Sequence, residues 1–131
     1  DTAGGGMSAV GSVSATETAL ISGFVIAGTT SENLLVRGVG PGLTAFGVTG
    51  ALADPQVGLY DSTGRLLAAN DNWSGGNLST TATGVGAFAL ASGSKDAALV
   101  MTLAPGAYTA QVSGTAAAST GGVLLEIYEV K

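Results

Sequence analysis

No stretch of this chain sustains a helical apolar period beyond two turns. Short β-type runs recur instead, each stopped by Gly, Pro, Asn or Asp. Leu20 to Ala27 is one. Asn33 to Val39 is the next, after the polar turn Gly28 to Glu32. Val57 to Asp61 and Arg65 to Ala69 flank Ser62-Thr63-Gly64, the spacing of a hairpin with Gly64 available for positive φ. Ala97 to Leu103 and Ala107 to Ser113 flank Ala104-Pro105-Gly106, whose Pro-Gly order fits a type II turn. Val123 to Val130 is the last run. Leu43 to Phe46 and Gly86 to Leu90 each have room for a single helical turn.

About 130 residues with this punctuation fit one all-β domain. The expected architecture is an antiparallel β-sandwich, jelly-roll or Ig-like, of about 8–9 strands with almost no helix. Alternation supports burial between two layers. Val123, Leu125 and Ile127 face one way, and Leu124, Glu126 and Tyr128 face the other. The expected core is Leu35, Val36, Leu59, Leu66, Leu99, Met101, Tyr108, Val112, Leu125 and Ile127. Residues 70–96 form the longest irregular stretch, a candidate functional loop.

The N-terminal residues 1–15 differ in character and are read as a separate arm before a 16–131 sandwich. Gly4-Gly5-Gly6 is a tether. Met7, Ala9, Gly11, Val13 and Ala15 then make one small apolar face of a strand pattern. Such a strand can complete a sheet in a neighbouring copy, or serve as the first strand of its own sandwich.

The chain has no Cys and no His, which removes disulfides, thiolate nucleophiles, Cys/His zinc sites and histidine bases. Four basic against nine acidic residues leave −5, the wrong sign for binding nucleic acid. No run of 18 apolar residues exists, so no helical membrane span is expected. The first residue is Asp1, and the scarcity of Lys suits an exported surface; a cleaved export signal is the expectation.

Three candidate sites compete with ordinary structural roles. Asp61, Asn70, Asp71 and Asn72 offer the hard oxygen ligands that Ca²⁺ takes, without EF-hand spacing. Asx residues in turns equally cap backbone groups. Arg37, inside an apolar strand before a glycine run, is expected to pair with Asp54 or Asp96 rather than to cradle an anion. Trp73, the single tryptophan, either stacks on a ligand or interface, or plugs one end of the core. Catalysis is not expected. A serine nucleophile lacks a base, and the aspartates fall in turns where acids are ordinary. No cofactor is implied beyond the calcium alternative.

The segments Leu34 to Leu43, Gly50 to Pro55 and Leu59 to Gly64 with Asn70 to Trp73 resemble an uncharacterised group of secreted bacterial β-sandwich modules. The later segments, with Leu103 to Val112, are also similar to bacterial pre-peptidase C-terminal domains. The resemblance covers about residues 20–130 and implies a non-catalytic, extracellular sandwich. Joined to the arm, it leads to a self-assembling fibre subunit on a bacterial surface, whose partners are copies of itself. A glycan-binding adhesive module is the first alternative, and an accessory domain of a secreted system is the second.

Overall fold

The computed structural model describes residues 6–14 (6–10 by backbone alone), 18–73, 77–115 and 120–130. The strands are β1 (Gly6–Val13), β2 (Ala19–Ile26), β3 (Glu32–Val39), β4 (Pro55–Asp61), β5 (Leu66–Asn70), β6 (Ala97–Leu103), β7 (Gly106–Gly114) and β8 (Gly121–Val130). A 3₁₀ segment, Pro41–Phe46, follows β3, and one helix, α1 (Asn77–Gly84), precedes β6. The helix lies upstream of the expected turn at residues 86–90.

Sheet A has the order β1-β8-β3-β6 and sheet B the order β2-β7-β4-β5. Every pairing between these strands is antiparallel. The pairs β1·β8, β2·β7, β3·β6 and β4·β5 are nested about the middle of the chain and alternate between sheets. That winding is a jelly roll, which decides between the two sandwich types expected from the sequence. The segment read as a separate arm contributes β1 here, in register with β8 from Gly6 opposite Tyr128 to Val13 opposite Gly121.

The main core lies between the sheets. Leu34, Val36, Val57, Leu59, Leu99, Val112, Val123, Leu125 and Ile127 fill it. Of the expected core, Leu66 is misplaced, since it is 51% exposed at the start of an edge strand. The β4–β5 hairpin forms as the spacing implies, with Gly64 at φ 86°. The Ala104-Pro105-Gly106 turn is different. It joins strands of opposite sheets, and Gly106 has φ 156°, well beyond the type II value. The Tyr108 hydroxyl donates to the Ala104 carbonyl at 2.6 Å across this turn. A tyrosine tied back to the backbone upstream is a known brace where a chain changes sheets.

Residues 70–73 and 77–96 form no free loop. α1 and the segment after it cover the outer face of sheet A, where Leu35 and Ala98 form a second core with Trp73 and Ala82. β3 is therefore buried on both faces, which is why its sequence reads as a continuous apolar run.

Candidate functional site

Of the polar residues picked out by sequence, Arg37 lies beneath this cap. Arg37 occupies the outer face of β3, directly opposite Glu126 of β8. Its Nε donates to Glu126 Oε1 at 2.8 Å, and both side chains are buried. Its Nη1 donates to the Phe88 carbonyl at 2.7 Å, and the guanidinium lies 4.6 Å from the centroid of the Phe88 ring. The Tyr128 hydroxyl donates to the other Glu126 oxygen at 2.8 Å. Burial, then the hydrogen bond to Glu126 and that residue's charge, push the Tyr128 phenol up to about 12.

The partner of Arg37 is thus Glu126, and neither Asp54 nor Asp96. The reason is register. Glu126 stands directly opposite Arg37 on the same face of the β3–β8 ladder. Asp96 instead closes the turn after β3. Its Oδ1 accepts the amides of Gly40 and Gly42 at 2.8 and 3.0 Å, and its Oδ2 accepts the Ser94 hydroxyl at 2.7 Å. Asp54 holds the Thr115 hydroxyl at 3.0 Å.

Trp73 belongs to the same cap. Only 9% of it is exposed, and its indole N–H is shared between the Ala91 carbonyl and Ser94 Oγ, each at 3.1 Å. A ring buried in this way offers no stacking face to a sugar. The cavity left among Arg37, Trp73, Leu78, Ala82 and Leu90 measures about 20 Å³. That is room for about one water and no organic ligand.

The four oxygen-rich residues do not form one cluster. Asp61 sits at the β4–β5 turn, whereas Asn70 pairs with Val57 at the far end of the same hairpin. The separation is about 13 Å along the strand. Asp61 Oδ1 accepts from Thr63 Oγ1 (2.6 Å), Thr63 N (2.9 Å) and Arg65 N (3.1 Å). Asn70 Oδ1 accepts the Ala98 amide at 3.1 Å, and Asp71 Oδ1 takes the Asn72 amide group at 3.2 Å. Among the described residues, no three acidic, His or Cys side chains are grouped to hold a metal.

The remaining surface is defined by its edges. β1, β2, β5 and β6 are the four edge strands, and none contains a charged residue or a proline. The charged strand residues Glu32, Arg37, Asp61, Glu126 and Glu129 all lie on the inner strands β3, β4 and β8. Sheets ordinarily protect themselves the other way round, with charge and proline on the edge. Ile21 and Val25 of β2 are 57% and 71% exposed. Of the proposed arm residues, Met7, Ala9, Gly11 and Val13 lie on β1, and Val13 is buried; Ala15 lies outside the described residues.

Glu126, Phe88 and the β2 edge were not singled out by sequence. Glu126 carries a readable signal, a lone acid on the outer register of an apolar strand, matched by a lone Arg on another. Phe88 and the edge identity of β2 depend on topology and have no local signal.

No known protein family matches this chain, and no curated protein does. Solved structures do. The pre-peptidase C-terminal domain of a collagenase from Bacillus anthracis superposes with a TM-score of 0.55 at 11% identity, covering 92% of this chain and 87% of that one. A protein of the disulfide-linked pili of Bacillus endospore appendages gives 0.38 at 16% identity, covering 96% and 85%. A protein from Sulfurospirillum deleyianum gives 0.42 at 11% identity, covering 95% and 98%. The collagenase domain shows a shared β-sandwich fold; the other two scores are too low to extend that. No helix among the described residues is long and apolar enough to cross a membrane.

Proposed function

We propose that this chain is a non-catalytic structural subunit that self-assembles into fibres on a bacterial exterior, each copy adding strands to the next. The observation that carries this reading is the absence of charge from all four sheet edges. An uncharged edge is a row of unpaired backbone groups with no repulsion to keep a second strand away. Under the cap Arg37 Nε, both Glu126 oxygens and the Tyr128 hydroxyl are paired with one another, which favours a structural role over chemistry.

β1 is the proposed connector. Its described contribution is an eight-residue backbone ladder with Val13 as its buried side chain, so an identical segment from a neighbour replaces it contact for contact. Fit favours a small strand here: a Cβ on Gly11 would come within 2.9 Å of Leu20 Cδ1. Only residues 14–18 separate β1 from β2, and short hinges promote exchange over folding back. Contacts that pass head to tail without closing then give an open filament.

Negative-stain micrographs of the purified chain test the reading. Filaments are expected from the full chain, and folded non-fibrous particles from a chain lacking residues 1–15. Filaments from the truncated chain would remove β1 as connector. A full chain that stays monomeric at high concentration would remove self-assembly itself.

A further inference from the structure

We infer that β2 is a second, two-fold assembly edge, and that its occupant is β2 of another copy paired antiparallel about Gly23. The inference rests on the self-assembly reading and adds a lateral contact to it.

The two sides of the sandwich are not alike. On one side, β5 has only five residues, and the β4–β5 register shifts between Leu59 and Tyr60. Beside it, Asn70 Oδ1 accepts the amide of Ala98, so part of the outer row of β6 is already satisfied. Short strands, irregular register and covered amides are the means by which edges are blunted. β2 has none of them. All eight of its residues stay in unbroken register with β7, its only described strand neighbour. Its outer backbone row faces solvent and is open to pairing with another extended strand.

The sequence of β2 is self-complementary. A two-fold axis through Gly23 sets Gly23 against Gly23 of the second copy. Ile21 then stands opposite Val25 of that copy, and Val25 opposite Ile21. These are the two exposed apolar residues of the strand, and they share its solvent face. Paired β-branched side chains are among the favourable cross-strand neighbours, and no other register through this strand brings both sets together. Charge does not oppose it. The molecule carries −5, yet β2, its partner β7 and the adjacent β1 contain no charged residue. Two copies would meet through the uncharged side of an acidic protein, and sheet B would run continuously through eight strands.

Cysteine scanning tests the register cleanly, because the chain has no cysteine of its own. Gly23 has space for the probe: the nearest atom to an added Cβ is the Tyr108 carbonyl oxygen at 3.8 Å. Directly opposed Cβ atoms at about 4.5 Å stand at the upper end of disulfide geometry, so a small strand adjustment closes the bond, whereas positions out of register do not reach. Under mild oxidation in native buffer, Gly23→Cys is expected to cross-link to a dimer, and not in denaturant. Val25→Cys alone is expected to stay uncrosslinked, but to cross-link with Ile21→Cys when the two are mixed. Val25→Lys, at an exposed position, is expected to keep its melting transition and lose at least tenfold in lateral association by sedimentation. A wild-type chain that associates while Gly23→Cys fails to cross-link, or while Val25→Lys associates unchanged, overturns the β2 contact and leaves self-assembly standing. A wild-type chain that is monomeric throughout overturns both.

Discussion

Arg37 and Glu126 face each other across the β3–β8 ladder and meet at 2.8 Å, both out of water. Their attraction is offset by the cost of desolvating two charges, so the pair adds little net stability over an apolar pair of equal volume. Its loss on one side is another matter. Glu126→Ala leaves a guanidinium buried beneath the cap and is expected to cost about 3–5 kcal/mol in urea denaturation. The double substitution Arg37→Met with Glu126→Leu is expected to recover most of that. A single variant within about 1 kcal/mol of wild type would mean that the cap opens readily to water.

Tyr128 reports on the same cluster. Its phenol is raised from 10.0 to about 12 in the folded chain, first by burial and then by the neighbouring Glu126. Below pH 10 the phenol is protonated in both states, and its contribution to stability is complete. As pH rises from 10 through 12, the unfolded chain loses the proton first, and that contribution is lost. Phenolate absorbance of the native protein should therefore show one of the three tyrosines titrating late. Tyr128→Phe should remove that late step and flatten the loss of stability above pH 10.

Leu52 is held between two glycines that tolerate no side chain. An added Cβ at Gly40 would sit 2.1 Å from the Leu52 carbonyl oxygen, and one at Gly121 would sit 2.4 Å from the Leu52 nitrogen. Both obstacles are backbone. The Leu52 amide also donates to the Gly122 carbonyl at 2.9 Å, so this segment cannot retreat without breaking its own tie. Gly40→Ala and Gly121→Ala are each expected to lose at least about 3 kcal/mol. Gly84→Ala, where nothing lies within 4 Å, should be neutral or slightly stabilising. Equal effects at all three positions would show that Leu52 is not clamped.

What was legible in the sequence followed from periodicity of two. The alternation of Val123, Leu125 and Ile127 against Leu124, Glu126 and Tyr128 separated the core-facing residues of the last strand from those on its other face. The hairpin at Gly64 was legible because its turn residues are local. The crossover at Pro105 was not. A turn between paired strands and a turn between sheets use the same residues, and only the partners of β6 and β7 separate them. The cap was missed for a related reason. α1 has a single buried residue, Ala82, so it lacks the apolar stripe that announces a helix. Arg37 was read as pairing with Asp54 or Asp96; its partner, Glu126, lies 89 positions away, where spacing gives no guidance.

Asp61 supplies the last prediction, because its carboxylate is occupied within its own turn. The Thr63 hydroxyl, the Arg65 amide and the Thr63 amide all donate to Oδ1. The Thr63 hydroxyl bond most of all, then the Arg65 amide, holds the carboxyl below its ordinary 3.8. Stability from the ionised form is therefore present above about pH 4 and is lost as pH falls through the lowered folded value. Asp61→Asn should abolish that part of the acid sensitivity and lower neutral-pH stability towards the level the wild type keeps once Asp61 is protonated. The same occupancy bears on calcium. Asp71 lies beyond the opposite end of the hairpin, so it does not share a cation with Asp61, and among the described residues no three acidic side chains are grouped to hold one. The melting temperature should not move with EDTA or with millimolar Ca²⁺. A ligand selective for the native state would have to raise it by mass action. A rise with Ca²⁺ in the wild type, absent in Asp61→Asn, would make this carboxylate a metal ligand rather than a turn cap.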